Sequence, residues 1–399
     1  MPCAYCKAQH DSDSCPWSAR ARTYFKSKEL KESYTGGTPA PFIGRYGYPD
    51  VNVGILTPPG IDESSQYDAP KLWAQQGASI SSIAELRGTL VNSHVKGNVH
   101  HLQGKLLETA QITAMSQQPI HVSIELEKKP VYAVHFDHHA PPTGPTGTLK
   151  KIEQENNPHV HTQIQKAVSD TDLKSAEALK ILYTKGIEEN KLTQLLSTGT
   201  LGIGKNRKLV PTRWSITATD DTLGKAIHKE IINNQHIGEY ELYTGNYHGN
   251  YYYILLYPGT WAYELTEYSQ TTNGVSRDSE GFMGRTSYAE NCVGGYYTVK
   301  LAILEHLTQR KRQAGALVLR IITSEYTMPL GVWVTREASR KTMNITPQLF
   351  SSKKEIQKEI LQQIMMRHAM ATTHPILETL FRTSTIHNNK ENQKKIWEY

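Results

Sequence analysis

The chain is poor in cysteine: four in 399 residues, with Cys3, Cys6 and Cys15 crowded at one end and Cys292 standing alone. A secreted disulfide scaffold carries many more, evenly paired along a short chain, so that class is excluded. There is no apolar run near the roughly 20 residues a membrane-spanning helix needs, and no apolar core of a leader peptide. No membrane partner is expected, and the expected location is the cytoplasm. Neither sign of charge dominates. Lys and Arg number 44 against 38 Asp and Glu, a net charge of +6. That balance permits a polyanionic partner without demanding one. Repeats of fixed period are lacking too. With 38% hydrophobic and 21% charged residues, the composition is that of an ordinary globular protein, neither disordered nor fibrous. The length exceeds what one core usually holds, so two or three units, or one large domain with appendages, are expected.

What cysteine there is carries a pattern. Cys3, Cys6, His10 and Cys15 read C-x2-C-x3-H-x4-C within MPCAYCKAQHDSDSCPW. Two thiolates from one tight turn meet a single ion, and a histidine and a third thiolate complete a tetrahedron, which suits structural zinc, one per chain. So short and polar a segment buries little apolar surface, and the metal would supply its folding energy. The following SARARTYFKSKELK interleaves Arg20, Arg22, Lys26, Lys28 and Lys31 with Tyr24 and Phe25. This pattern suits either a nucleic-acid grip or a solvated amphipathic helix.

The body begins at FIGRYGYPDVNVGILTPPG, whose alternating apolar residues and glycines predict short strands and turns. Residues 79–93 and 98–116 show helical apolar spacing, and HVSIELEKKPVYAVHFD predicts two strands around Lys129-Pro130. Helix is expected from Lys150 to Thr193, with Asp170 or Thr171 as a cap. The Tyr-rich 240–268 stretch predicts antiparallel sheet. Further on come a helix from Tyr296, a strand at ALVLRIITSEY, and GVWVTREASRKTM as a strand running into a helix. The expected fold class is α+β: mixed helices and mainly antiparallel sheet in one large body. The expected divisions are a zinc module with its basic extension at 1–35, a core at 40–345, a helical region at 346–388 and a flexible tail at 389–399.

Candidate chemistry is thinner. GTLGIGKN at 199–206 fits the G-x-x-x-x-G-K of a phosphate loop, but Asn206 replaces the magnesium-binding Ser or Thr and a helix end precedes it. The better reading is a loop carrying Lys205, Arg207, Lys208 and Arg213, beside Trp214, to contact phosphates. Arg336 and Arg340 add positive charge. A metal-dependent nuclease would need carboxylates converging on two ions. Asp220 and Asp221, with Asp170/Asp172, Glu264/Glu267 and Asp278/Glu280, are the available pairs. Cys292 is expected to be a buried small hydrophobe. SSKKEIQKEILQQIMMRHAM predicts an amphipathic helix with Ile356, Ile360, Ile364 and Met365 on one side, and HPILETLF another short helix. At the end, Gln393, Ile396 and Tyr399 fall at Q-x-x-h-x-x-a, the spacing by which terminal peptides dock the sliding clamp of replication.

Taken whole, the chain resembles the archaeal Nre family of DNA-repair proteins, of the NreA type. The residues that carry the resemblance are FIGRYGYPDVNVGIL, DAPKLW, SSIAELRGTLV, FDHHAPPTGP, LSTGTLGIGKNRKLVPTRWSITATDDTLG, PGTWAYELTEY, YAENCVGGYYTVKLAILEHL and PLGVWVTREASRKTM. The resemblance implies a cytosolic archaeal factor in DNA-damage repair that binds the clamp PCNA through its C-terminal peptide, which Gln393, Ile396 and Tyr399 match. It departs at His10, where the family pattern has cysteine. The expectation is a repair factor held on DNA by a basic surface and recruited by PCNA, with a metal-dependent nucleic-acid-processing enzyme as the alternative.

Overall fold

The structure, a computed structural model, describes residues 30–131, 139–370 and 374–389. Cys3, Cys6, His10 and Cys15, the Asp137–His138 pair, and Gln393, Ile396 and Tyr399 lie outside the described residues. The fold is α+β. The chain divides into two compact units, Met1–Leu223 with Thr327–Trp333, and Gly224–Tyr326 with Val334–Tyr399. The sequence reading drew one body over 40–345. The division instead falls inside the helix Thr212–Ile231, because each unit has its own sheet and no Pro- or Gly-rich linker marks the passage.

The first unit is built on a six-stranded sheet in the order β1 (Ser33–Thr38), β5 (Ile120–Leu126), β6 (Thr146–Gln154), β4 (Val91–Asn98), β3 (Asp50–Thr57) and β2 (Ala40–Ile43). Only β4 and β6 run parallel; the other neighbours are antiparallel. In β5, IHVSIEL alternates buried and half-buried residues, the period-2 pattern of a strand with one covered face. Ile120, Val122, Ile124 and Leu126 join Leu106, Ala110, Leu149 and Ile152 in one core cluster, so the helix Lys105–Met115 packs on this sheet. A buried polar knot ties four separate segments. Arg87 donates to Asp68 Oδ1 at 2.6 Å and to the Pro142 carbonyl at 2.9 Å, while Asn190 and Gln194 donate to Asp68 Oδ2, each at 2.9 Å.

Helix was expected from Lys150, but Lys150–Gln154 completes β6, pairing with β5. Helices follow at Thr162–Ser169, Ser175–Thr184 and Glu189–Ser197. Asp170 caps neither neighbour by the expected route. Its Oδ1 accepts from the backbone N–H groups of Asp172 and Leu173, both at 3.0 Å, an Asx turn between two helices.

The second unit's sheet runs β10 (Val275–Glu280), β9 (Ala262–Ser269), β11 (Gly315–Ile322), β8 (Asn250–Tyr257), β7 (Tyr240–Tyr247) and β12 (Gln348–Phe350). Here only β9 and β11 are parallel. Tyr253, Leu255 and Tyr257 of β8 join Leu317, Leu319 and Ile321 of β11 on one face, against Ile356, Ile360 and Ile364. Those isoleucines come from the helix Lys353–His368, capped by the Ser352 side chain accepting from the Glu355 N–H. Their i, i+4, i+8 spacing forms one stripe, whereas Met365, expected on that side, is 40% exposed. The helix Pro375–Arg382 adds Ile376, Leu377, Leu380 and Phe381 to the same core. The helices Lys353–His368 and Pro375–Arg382 therefore cover the sheet of the second unit. No strand forms at Gly331–Trp333; the helix Trp333–Met343 starts directly.

Candidate nucleic-acid interface

In the first unit, β4, β6 and the start of the helix Lys105–Met115 enclose a groove of about 340 Å³. Its floor is apolar, with Val53, Leu107 and Ile152 among the lining residues, and its rim carries Lys96, Lys105, Lys150 and Lys151 with His101. Among the described residues, no carboxylate lines it. Strand alternation explains the rim: Lys96 on β4 and Lys150 on β6 point to water while their neighbours Val95 and Leu149 face inward. Lys150 pairs with Glu125 at 2.6 Å and Lys151 with Glu153 at 2.9 Å. These pairs are solvent-exposed and exchange readily for a phosphate. Lys96 and Lys105 are exposed, and the Lys105 charge also acts on Glu153. The helix begins at Gly104 with no side-chain cap, so its first N–H groups and dipole add positive potential at the same rim.

The loop expected to contact phosphates is anchored beside this groove. Leu209, which lines the groove, donates its N–H to the Val99 carbonyl at 2.9 Å. Gly199 makes the approach possible: its φ is +67°, and a Cβ there would stand 2.8 Å from the Lys208 carbonyl oxygen. Within the loop the four cations divide by role. Arg207 is a brace, donating to the carbonyls of Gly202 at 2.8 Å, Val168 at 2.7 Å and Asp170 at 3.3 Å. Lys205 and Lys208 are exposed, and Arg213 is half-buried on the first turn of the helix Thr212–Ile231.

The remaining expected cations lie in the second unit and are occupied. Arg336 is buried, with 6% exposure. Arg340 holds Glu305 through two hydrogen bonds, 2.9 and 2.6 Å, and Glu337 at 3.1 Å. A guanidinium committed in this way offers little to a phosphate, so these two arginines are structural.

Next to the groove, the loop between β2 and β3 presents Tyr46, 75% exposed, and Tyr48, 44% exposed, and Trp214 on the helix Thr212–Ile231 is 43% exposed. The Tyr48 and Trp214 rings lie 5.2 Å apart at 52°. The loop is held by Asp50 N–H on the Gly47 carbonyl at 2.9 Å, and β2 is tied to the helix by Ile43 N–H on Thr212 Oγ1 at 2.9 Å. Lys96 joins loop and groove, since a Cβ on Gly47 would lie 3.8 Å from its Nζ.

The carboxylates of the second unit considered for a nuclease are each held by a cation. Glu264 pairs with Arg277 at 2.6 Å, Asp278 with Arg285 at 2.9 Å, Glu280 with Lys300 at 2.7 Å and Glu267 with Arg320 at 2.5 Å. Glu280 also accepts from Trp261 Nε1 at 3.0 Å and the Tyr296 hydroxyl at 2.8 Å. Asp220 is buried within its helix. Among the described residues, no three His, Cys, Asp or Glu side chains gather as a metal site. Cys292 is buried, and burial pushes its thiol up. No described helix is long and apolar enough to cross a membrane.

Comparison with known proteins agrees along most of the chain. Residues 10–273 match the family model of the N-terminal part of archaeal Nre, and 280–391 that of the C-terminal part. The chain is 35% identical over 323 residues, 77% of each chain, to a Haloferax volcanii protein named DNA repair protein NreA. An Archaeoglobus fulgidus protein named DNA repair protein NreB is 37% identical over 312 residues, 76% of this chain and 78% of its own. A second from that organism, named DNA repair protein NreA, is 32% identical over 362 residues, 88% and 90% of the two chains. No solved structure matches.

Proposed function

The chain belongs to the archaeal Nre family, and on that premise we propose that it is a DNA-repair factor whose first unit holds the DNA backbone along the lysine-rimmed groove. The observation that carries this reading is the coincidence of four rim lysines, an uncapped helix start and the exposed Lys205 and Lys208 on one unit. Such a surface attracts polyphosphate through counterion release, without regard to base sequence. The names of the relatives supply the polyanion: DNA under repair.

Two further parts of the reading rest on spacing alone. Cys3, Cys6, His10 and Cys15 form a structural zinc module, and Gln393, Ile396 and Tyr399 form the peptide by which PCNA recruits the protein. Clamp binding through this peptide gains from the DNA contact by avidity. The paired carboxylates of the second unit support a factor that binds and positions, rather than the alternative nuclease. Replacing Lys96, Lys105, Lys205 and Lys208 by alanine tests the groove. Each lost phosphate contact lowers the slope of log affinity against log salt by about 0.7–0.9, so the quadruple variant loses about 3. An unchanged slope would remove the groove from the interface.

A further inference from the structure

Three large aromatic side chains on one exposed patch need a reason. Elsewhere in this chain Trp73, Trp261, Tyr252, Tyr253 and Tyr263 are almost wholly buried, and Phe282 and Tyr288 are exposed singly in the second unit. Tyr46, Tyr48 and Trp214 are not, and two independent elements bring them together, the β2–β3 loop and the helix Thr212–Ile231. The loop carries Gly47 at φ +85°, a left-handed position that suits glycine. The Tyr48 and Trp214 rings are tilted by 52° rather than parallel, so neither covers the other face to face. Cationic groups surround the patch: the Arg45 guanidinium lies 4.7 Å from the Tyr46 centroid, and Lys96 reaches Gly47 from the groove.

We propose that Tyr46, Tyr48 and Trp214 form a platform on which unpaired bases of single-stranded DNA stack, while the phosphates of the same strand follow the lysine groove. The inference rests on the reading of the first unit as a DNA-binding unit, and adds the form of DNA it selects. In a duplex the base faces are already stacked on each other, so exposed rings gain nothing there. An unpaired base offers a free face, and aromatic stacking is tolerant of sequence. A basic groove alone would take duplex and single strand alike; the platform breaks that symmetry in favour of unpaired bases. Lys96, shared by loop and groove, joins the two contacts into one path for a strand.

The test uses the full chain and a fluorescein-labelled oligothymidine of ~15 nucleotides, with a duplex and an RNA of the same length as competitors. Anisotropy should show the single-stranded DNA bound more tightly than the duplex. Tyr46→Ala and Trp214→Ala should each weaken single-strand binding about tenfold, leave duplex binding and the salt slope unchanged, and Trp214→Phe should restore most of the loss. Tyr46 is mostly exposed, so its variant tests the platform even if Trp214→Ala alters folding. Equal affinity for single strand and duplex, with both aromatic variants unchanged, would overturn the platform and leave the groove standing. Tighter binding of the RNA would also overturn the proposed occupant. Wild-type protein that binds no DNA would overturn the underlying reading as well.

Discussion

Acid should loosen the second unit well above the range in which carboxylates titrate, because two histidines are held neutral there. His306 Nε2 lies 3.0 Å from the Tyr243 hydroxyl, and His368 Nε2 lies 3.0 Å from the Tyr253 hydroxyl. Burial, and the cations Arg310 beside His306 and Arg367 beside His368, lower both imidazoles to about 4. In the unfolded chain each titrates near 6.5. Between those values the unfolded state binds more protons than the folded one, so stability falls as pH drops from about 6.5 toward 4. At pH 5 the unscreened loss is about 2 kcal/mol per ring. Both rings are half-buried, so solvent screening reduces this to about 1 kcal/mol each, or about 2 kcal/mol together. The assay is urea unfolding of the full chain at pH 7.5 and pH 5, followed by tyrosine and tryptophan fluorescence. A His306→Gln, His368→Gln double variant keeps a hydrogen-bonding group without titrating in this window. It should lose about 2 kcal/mol less than wild type over the same interval. Equal losses in wild type and variant would refute the assignment of neutral, buried imidazoles.

Three other expectations follow from the same structure and sequence. Asp68→Asn removes the charge that Arg87 needs in the buried knot, and should destabilise the first unit by about 3–5 kcal/mol; thermal melting checks this, and a shift of under one degree would show the knot to be dispensable. Cys3→Ser with Cys6→Ser should release about one zinc per chain, measured by elemental analysis, and unchanged metal content would remove the N-terminal site. Deleting residues 391–399 should abolish PCNA binding in a pull-down while leaving the melting temperature in place; retained binding would dismiss Gln393, Ile396 and Tyr399 as the clamp peptide.

The strands of the second unit were the most legible part of the sequence. YYYILLY and ALVLRII are β-branched, Tyr-rich or aliphatic runs, and as central strands they bury both faces, so composition and structure agree. The stripe of Ile356, Ile360 and Ile364 was equally readable, because three buried positions at a spacing of four admit only one helical face. Lys150–Gln154 misled because its one apolar residue, Ile152, lies three from Leu149 and imitates helical spacing, while a bulge between β5 and β6 interrupts the strand period. The division within Thr212–Ile231 left no trace, since one continuous helix serves both units.

The interface was half legible. The cation cluster at 205–213 was visible as composition, but its division into the brace Arg207 and the exposed Lys205 and Lys208 depends on carbonyls of residues 168, 170 and 202, which no local pattern reveals. Arg336 and Arg340 misled for the converse reason: TREASRK is charged, yet Arg336 is buried and Arg340 is held by Glu305, thirty-five residues earlier. Lys96, Lys105, Lys150 and Lys151 went unnoticed because they are scattered over the sequence and meet only through the parallel pairing of β4 with β6. For Tyr46 and Tyr48 a signal did exist. RYGYP places two aromatics in a turn beside an arginine, where rings have little to pack against.

The most direct test of the central claim is hydrogen–deuterium exchange of the full chain with and without single-stranded DNA. If the groove of the first unit is the interface, protection should rise at residues 95–106 and 203–209, and across the 44–50 loop. Protection confined to residues 240–389, with the first unit unchanged, would contradict it.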